Sequence, residues 1–386
     1  MTELITTPID STLVHGALEL EATPHGLLPH RLPAWARAQW ADPQLAMAES
    51  QPSGIRLASS TTATVIELGT LPTKRAYAGL PPRPDGVYDL RVDGALVAQG
   101  RVEGGNVLHI DMAAGSARLE PGAPGTLRFD GLDAGPKQVE IWLPHNETTL
   151  LVALRSDAPL APVAASGRYW VHHGSSISQG SDAATPTGIW PAVAASRAGL
   201  ALTNLGFGGS ALLDPFVART IRDLPADLIS LELGINVVNN DVMRLRAFGP
   251  AVHGFLDIIR ERQPETPLLV VSPILCPIHE DTPGPTAPDF GDGRIRYRAA
   301  GDPAEVAAGK LTLNVIRTTL ARIVEQRRTT DPNLHYLDGR DLYGESEHVL
   351  LPLPDRLHPD SETHRLIGER FAAVALSAGG PLGPTG

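Results

Sequence analysis

The chain has 386 residues, 42% of them hydrophobic and 19% charged, a composition that excludes a disordered protein and is long enough for two domains with separate cores. A formal net charge of −11 argues against nucleic acid or an anionic membrane as a partner and favours a neutral or weakly charged ligand. Cys276 is the single cysteine, so there is no internal disulfide framework, and no apolar run reaches the ~18 residues of a membrane span.

The N-terminal residues, Met1-Thr2-Glu3-Leu4-Ile5, show neither the basic region nor the apolar stretch that directs secretion, and a cytoplasmic location is the expectation. Up to about residue 50, Trp35 and Trp40 included, no period is legible and the segment reads as an arm packing on either domain. From there the pattern is that of strands. Tyr88, Leu90 and Val92 alternate with polar residues up to Asp93-Gly94, a strong hairpin-turn signal, and Leu96-Val97-Ala98 resumes the apolar run. Val139, Ile141 and Leu143 alternate again, and residues 150–154 form a short buried run. With 38 glycines and 35 prolines to make turns, residues 1–160 predict an all-β sandwich or jelly-roll module. Residues 156–167, rich in Pro, Ala and Ser, read as a linker.

Beyond the linker, strands and helices alternate. Apolar strands are predicted at 169–171, 200–205, 228–233, 268–271 and 334–337. Leu313, Ile316, Leu320 and Ile323 repeat at helical spacing, as do Ile367, Phe371 and Val374 in a last helix entered through Pro359. That order predicts a parallel, doubly wound sheet over residues 168–380, with its site at the C-terminal strand ends. Residues 276–303 have no clear period and follow a strand, so they are expected to overhang that site.

Four segments carry chemistry, and all fall just past predicted strands. Gly174-Ser175-Ser176-Ile177-Ser178-Gln179-Gly180 presents a serine on a glycine-rich turn. A hydroxyl is a weak nucleophile without a base, and Asp355-Arg356-Leu357-His358 supplies an imidazole with a carboxylate to orient it. The amides of Ser176 and Gly209 and the side-chain amide of Asn236 are candidate oxyanion donors. Taken singly, each segment has a plainer reading: a Ser/Gly turn, a capped turn with a surface histidine, a glycine loop, an asparagine bonding its own backbone.

Together the four segments resemble the four blocks of the SGNH/GDSL hydrolase family, in order, across roughly residues 168 to 378. The resemblance implies a flavodoxin-like three-layer αβα domain. In it Ser176 is the nucleophile, Asp355 and His358 complete the triad, and Ser176, Gly209 and Asn236 form the oxyanion hole. One position departs from the family: its first block usually reads Gly-Asp-Ser, and here Ser175 stands in place of the aspartate. The N-terminal module resembles, more loosely, the jelly-roll domain that precedes the catalytic domain of some carbohydrate esterases. The implied activity is that of a serine esterase removing short acyl groups, above all acetyl, from a carbohydrate or other small-molecule ester, with no cofactor and no metal. An acyltransferase using the same acyl-enzyme is the alternative, and a non-catalytic carbohydrate-binding protein is a third.

Several polar and aromatic residues have plainer expectations. His172 and His173 point to opposite sides of a strand and are expected to fill space. His279 and Glu280 with the distant His364 lack the close spacing of a metal site and read as loop polar groups. Cys276 is expected to be buried and inert at a strand end, and Trp35, Trp40 and Trp142 to pack in cores rather than stack on sugars.

Overall fold

The computed structural model describes residues 3–111, 114–290 and 295–384. Readings that fall on Met1, Thr2 and residues 291–294 lie outside the described residues. Two units divide the chain. The first gathers Met1–Pro33, Glu49–Ala165 and Ala184–Thr187, and the second Ala34–Ala48, Ser166–Ala183 and Gly188–Gly386.

The first unit is a β-sandwich built on alternation. In the strand Lys137–Trp142, Val139 and Ile141 point inward, and Ile141 lies opposite Leu57 of Arg56–Thr61 and Leu90 of Tyr88–Val92. These strands belong to a six-stranded sheet. A second, eight-stranded sheet is centred on Ile66–Tyr77 and Thr148–Ser156, and it contributes Ile66, Leu68, Leu127, Phe129, Leu151 and Leu154 to the same core. Burial of each such side chain stabilises by about 1.5–3 kcal/mol, which is why alternation fixes the register so firmly. The predicted hairpin joins Tyr88–Val92 to Ala95–Gly100 through Asp93 and Gly94, both at positive φ, as a two-residue primed turn requires.

The second unit holds a five-stranded parallel sheet, whose strands we number β1 (Tyr169–Gly174), β2 (Ala201–Gly206), β3 (Leu228–Glu232), β4 (Leu268–Val271) and β5 (Leu334–Leu337). Their spatial order is β2-β1-β3-β4-β5, the flavodoxin-like order. Such strands are covered on both faces, so they read as continuous apolar runs; β3 and β4 are buried at every residue. The main helices are α1 (Trp190–Ala198), α2 (Pro215–Asp223), α3 (Leu245–Arg260), α4 (Leu313–Arg327) and α5 (Ser361–Phe371). The β1-to-β2 crossover runs opposite in direction to the later ones. Right-handed crossovers therefore put α1 on one face and α2, α3 and α4 on the other, and α5 packs beside α1. The result is three layers, αβα. The strand order reverses between β1 and β3, and at their C-terminal ends such a sheet opens a crevice.

The structure corrects four sequence-based expectations. The stretch 156–167 is not a free linker: Ala161–Pro162 pairs antiparallel with Arg56–Thr61, and Leu160 joins the sandwich core. Val374 is 42% exposed rather than on the buried face, because Ala372–Leu376 forms a π-helical turn. Its extra residue per turn rotates Ala375 and Leu376 inward instead. Trp35 is 42% and Trp40 67% exposed, whereas Trp142 is buried with the Arg56 guanidinium over its ring. Cys276 lies beyond the end of β4, at the start of a short 3-10 turn; it is buried as expected, and burial pushes its thiol far up.

Candidate active site

At the C-terminal end of β1 the chain turns sharply into a single helical turn, Ser176–Gln179. Ser175 caps it, its hydroxyl accepting the Ile177 amide at 3.3 Å, and Gly180 closes it in a left-handed conformation. Gly174 has no tolerance for a side chain, since a Cβ there would stand 2.3 Å from Ser178 Oγ and 2.9 Å from Glu232 Oε2. The turn thus presents Ser176 above the sheet while Ser175 and Ser178 face inward and are fully buried.

Ser176 Oγ lies 2.9 Å from His358 Nε2, and His358 Nδ1 lies 2.7 Å from Asp355 Oδ2. The other carboxylate oxygen, Oδ1, accepts the amides of Leu357 at 2.8 Å and His358 at 2.6 Å. Arg356 between them adopts a left-handed conformation, φ +71°, which folds the carboxylate back over the imidazole three residues on. Burial alone would raise the Asp355 carboxyl. The hydrogen bond and charge of His358, with the two amides, outweigh it and hold the group below the usual carboxylate range. An ionised Asp355 accepts Nδ1–H, which leaves the Nε2 lone pair to take the Ser176 proton.

The glycine loop after β2 stands beside this serine. Gly208 N–H donates to Gln179 Oε1 at 2.7 Å, and a Cβ on Gly208 would meet Ser176 Cβ at 3.4 Å. Gln44 Nε2 donates to the Gly208 carbonyl at 2.8 Å, so in the trans peptide the Gly209 N–H points the opposite way. Asn240 Nδ2 donates to the Gly209 carbonyl at 2.9 Å. Asn236 is reached through Gly234, whose φ of +119° and contact with Ile316 admit only glycine. The Asn236 side chain is buried and its Oδ1 accepts the Ala211 amide at 3.1 Å, which leaves Nδ2 as the donor.

Other sequence candidates have different surroundings. His172 and His173 are both buried. His172 Nδ1 lies 2.7 Å from Ser230 Oγ and Nε2 2.8 Å from Ser178 Oγ, and burial depresses it to about 3, so it is neutral. His279 bonds Thr282 and Thr286, Glu280 pairs with Arg317, and His364 bonds the backbone at Trp190 and Ser181. Among the described residues, Asp182, Asp355 and His358 bring ligand-type atoms within 4.8 Å of one another. Both His358 nitrogens are already engaged by Ser176 and Asp355, so that group offers a cation no free ring nitrogen.

Three neighbours of the site escaped sequence reasoning. Within the 276–303 segment a short hairpin, Thr286–Asp289 with Arg296–Ala299, docks on the Asp355–His358 turn. Tyr297 N–H donates to the Asp355 carbonyl at 2.9 Å, and its ring meets the imidazole edge-on at 5.7 Å between centroids. Gln44 comes from the segment that showed no period. Glu232 ends β3 beneath the serine turn, and its signal was a lone carboxylate closing an apolar run before Gly234.

A flavodoxin-like sheet with serine, glycine loop, asparagine and Asp/His turn at its switch point defines an SGNH-type hydrolase domain, here in a chain that also carries a β-sandwich. Residues 168–276 match the GDSL-like lipase/acylhydrolase family. The salicylyl-acyltransferase SsfX3 from a tetracycline biosynthetic pathway is 30% identical over 95% of this chain and 95% of its own, with a TM-score of 0.77. A GDSL-like lipase structure from Bacteroides ovatus is 18% identical over 96% of both chains, TM-score 0.68. A family two carbohydrate esterase from Clostridium thermocellum is 14% identical over 83% of this chain and 91% of its own, TM-score 0.53. These last two share the fold. No curated protein matches the chain by sequence. The chain belongs to the GDSL-like lipase/acylhydrolase family and is an enzyme of the carboxylic-ester hydrolase class. Among the described residues, no helix is long and apolar enough to cross a membrane.

Proposed function

We propose that the protein is a serine esterase that hydrolyses short acyl esters, acetyl esters of carbohydrates or glycosides foremost, through an acyl-enzyme on Ser176. The observation that carries this reading is the relay of 2.9 Å and 2.7 Å from Ser176 through His358 to Asp355. Ser176 Oγ attacks the ester carbonyl while His358 Nε2 takes its proton, and Asp355 stabilises the imidazolium. The developing oxyanion accepts hydrogen bonds from the Ser176 and Gly209 amides and Asn236 Nδ2, each worth about 3 kcal/mol in such a role. Collapse expels the alcohol, which receives the proton from His358. Water then attacks the acyl-enzyme with His358 again as base, releasing the acid and regenerating the hydroxyl.

Ser176→Ala tests this directly. Turnover of p-nitrophenyl acetate should fall by at least about 10⁴-fold with circular dichroism unchanged, and activity equal to the parent sinks the reading. A series of p-nitrophenyl esters from acetate to octanoate, then acetylated sugars, reads the acyl length and the alcohol.

A second reading has its own support: the 30% identity to a salicylyl-acyltransferase extends over 95% of both chains, β-sandwich included. In that reading an alcohol acceptor replaces water in the second half-reaction. Product analysis with an added alcohol separates them, since a transferase yields new ester in preference to free acid.

A further inference from the structure

Glu232 is an expensive residue where it stands. It is the last residue of β3, 5% exposed, directly under the turn that carries Ser176. Its Oε2 accepts the Ser175 amide at 2.8 Å and the Ser178 hydroxyl at 3.4 Å. Among the described residues, its Oε1 has no hydrogen-bond partner. The groups acting on it are the amide and hydroxyl of Ser175 and the hydroxyl of Ser178; burial is the strongest influence and pushes the carboxyl up. A buried carboxyl with one bare oxygen and only neutral partners is disfavoured against an apolar side chain of the same size.

The bonds around it run in one direction. Trp170 Nε1–H can only donate, and it donates to Ser230 Oγ at 2.9 Å. Ser178 gives its one proton to Glu232, so neutral His172 donates from Nε2 to Ser178 Oγ at 2.8 Å, and His172 Nδ1 accepts the Ser230 proton across 2.7 Å. Ser178 in turn donates to Glu232 Oε2. Glu232 is the acceptor at which this chain ends, and its bond from Ser178 sets the direction of the links between. Oε2 accepts whether the carboxyl is ionised or neutral.

Its other bond concerns the reacting group. Ser175 is pinned twice, by its N–H on Glu232 and by its hydroxyl on the Ile177 amide. Its φ of −85° and ψ of −161° are thereby fixed, and that ψ sets the plane of the 175–176 peptide. From that plane come both the Ser176 N–H and the direction in which Oγ leaves the backbone.

We infer that Glu232 is a positioning residue for acyl transfer: by ending the Trp170–Ser230–His172–Ser178 chain and holding the Ser175 amide, it aims the Ser176 hydroxyl and N–H. This rests on Ser176 being the nucleophile.

The test compares Glu232→Ala and Glu232→Gln with the parent, each well below its own melting temperature. Glu232→Ala should lower kcat about 100-fold, the loss typical of a misplaced reacting group, with KM changed less than about threefold. Labelling of Ser176 by a fluorophosphonate should slow in the same proportion, which a merely structural role does not require. Glu232→Gln keeps an acceptor in reach and should recover about tenfold of the lost rate. Folded Glu232→Ala with kcat within threefold of the parent overturns the inference, and so does Glu232→Gln as slow as Glu232→Ala. If Glu232→Ala does not fold, Ser178→Ala decides. It cuts the last link of the chain, and a kcat loss of about fivefold or more is expected, while none overturns the inference. Ser176→Ala is run alongside: activity there means the nucleophile assignment has failed. An inactive Ser176→Ala beside a fully active Glu232→Ala means only this inference has.

Discussion

The two sides of Ser176 are built on opposite principles. Above it, His358 and Asp355 sit on an irregular turn near the surface, braced by a small hairpin and reachable by water. Below it, Trp170, His172, Ser178 and Glu232 form a polar chain inside the sheet, out of reach of any substrate. In the proposed mechanism the upper side moves protons, and the lower side is inferred to hold geometry. Activity and stability should therefore separate: changes above should cost rate and leave the fold alone, and changes below should cost both.

The sharpest way to break that contrast is Asp355→Asn. It removes the charge that orients His358 and should lower kcat by about 10³–10⁴-fold, with the melting temperature within a few degrees of the parent. The Asp355 carboxyl is held below the ordinary range. Its contribution to stability is therefore complete above about pH 4 and lost only as pH falls through the depressed value, so an acid limb in kcat at pH 5–7 does not belong to it. On the lower side, His172→Ala strands Ser230 and Ser178 and opens a void against Trp190, whose ring meets His172 edge-on at 4.6 Å. A loss of about 3 kcal/mol in urea unfolding is expected, with a rate loss beside it.

The β-sandwich offers a control for the cost of a buried carboxyl. Glu147, 4% exposed, accepts the Gly86 amide at 3.0 Å, and burial pushes its carboxyl up to about 7. A raised carboxyl costs nothing below its unfolded value near 4.5, and stability is lost as pH rises from there through about 7. Glu147→Gln should abolish that pH-dependent loss, worth about 3 kcal/mol between pH 4 and pH 8 in denaturant titrations. The smallest expected effect returns to the upper side. Tyr297→Ala should lower kcat about tenfold by freeing the His358 ring, and Tyr297→Phe should keep most of it because the edge contact needs no hydroxyl.

What the sequence made legible follows the same divide. Ser176, Asp355 and His358 stand in short local patterns, so residue type and spacing sufficed to bring them forward. The parallel strands were legible as apolar runs, and the sandwich as alternation. Glu232 and Gln44 were not, because each acts through contacts with residues distant in the chain and shows no local period. Tyr297 lay inside a stretch whose irregular spacing hid a two-stranded hairpin. Residues 156–167 misled by composition: Ala161 and Pro162 need only two backbone pairings to join a sheet, and prolines do not forbid that at its edge. Val374 misled because a 3.6-residue period was carried across a π turn.

The bond from Gln44 to the Gly208 carbonyl bears on how this enzyme can be cut. A fragment starting at residue 166 would contain every residue of the proposed triad and both candidate donors after β2 and β3. It would still lack the side chain, 164 positions upstream of Gly208, that anchors the Gly208 carbonyl and with it the 208–209 peptide. The catalytic unit is thus discontinuous along the polypeptide, closed by a strap from near the N-terminus, and a truncation drawn at the apparent linker severs that strap.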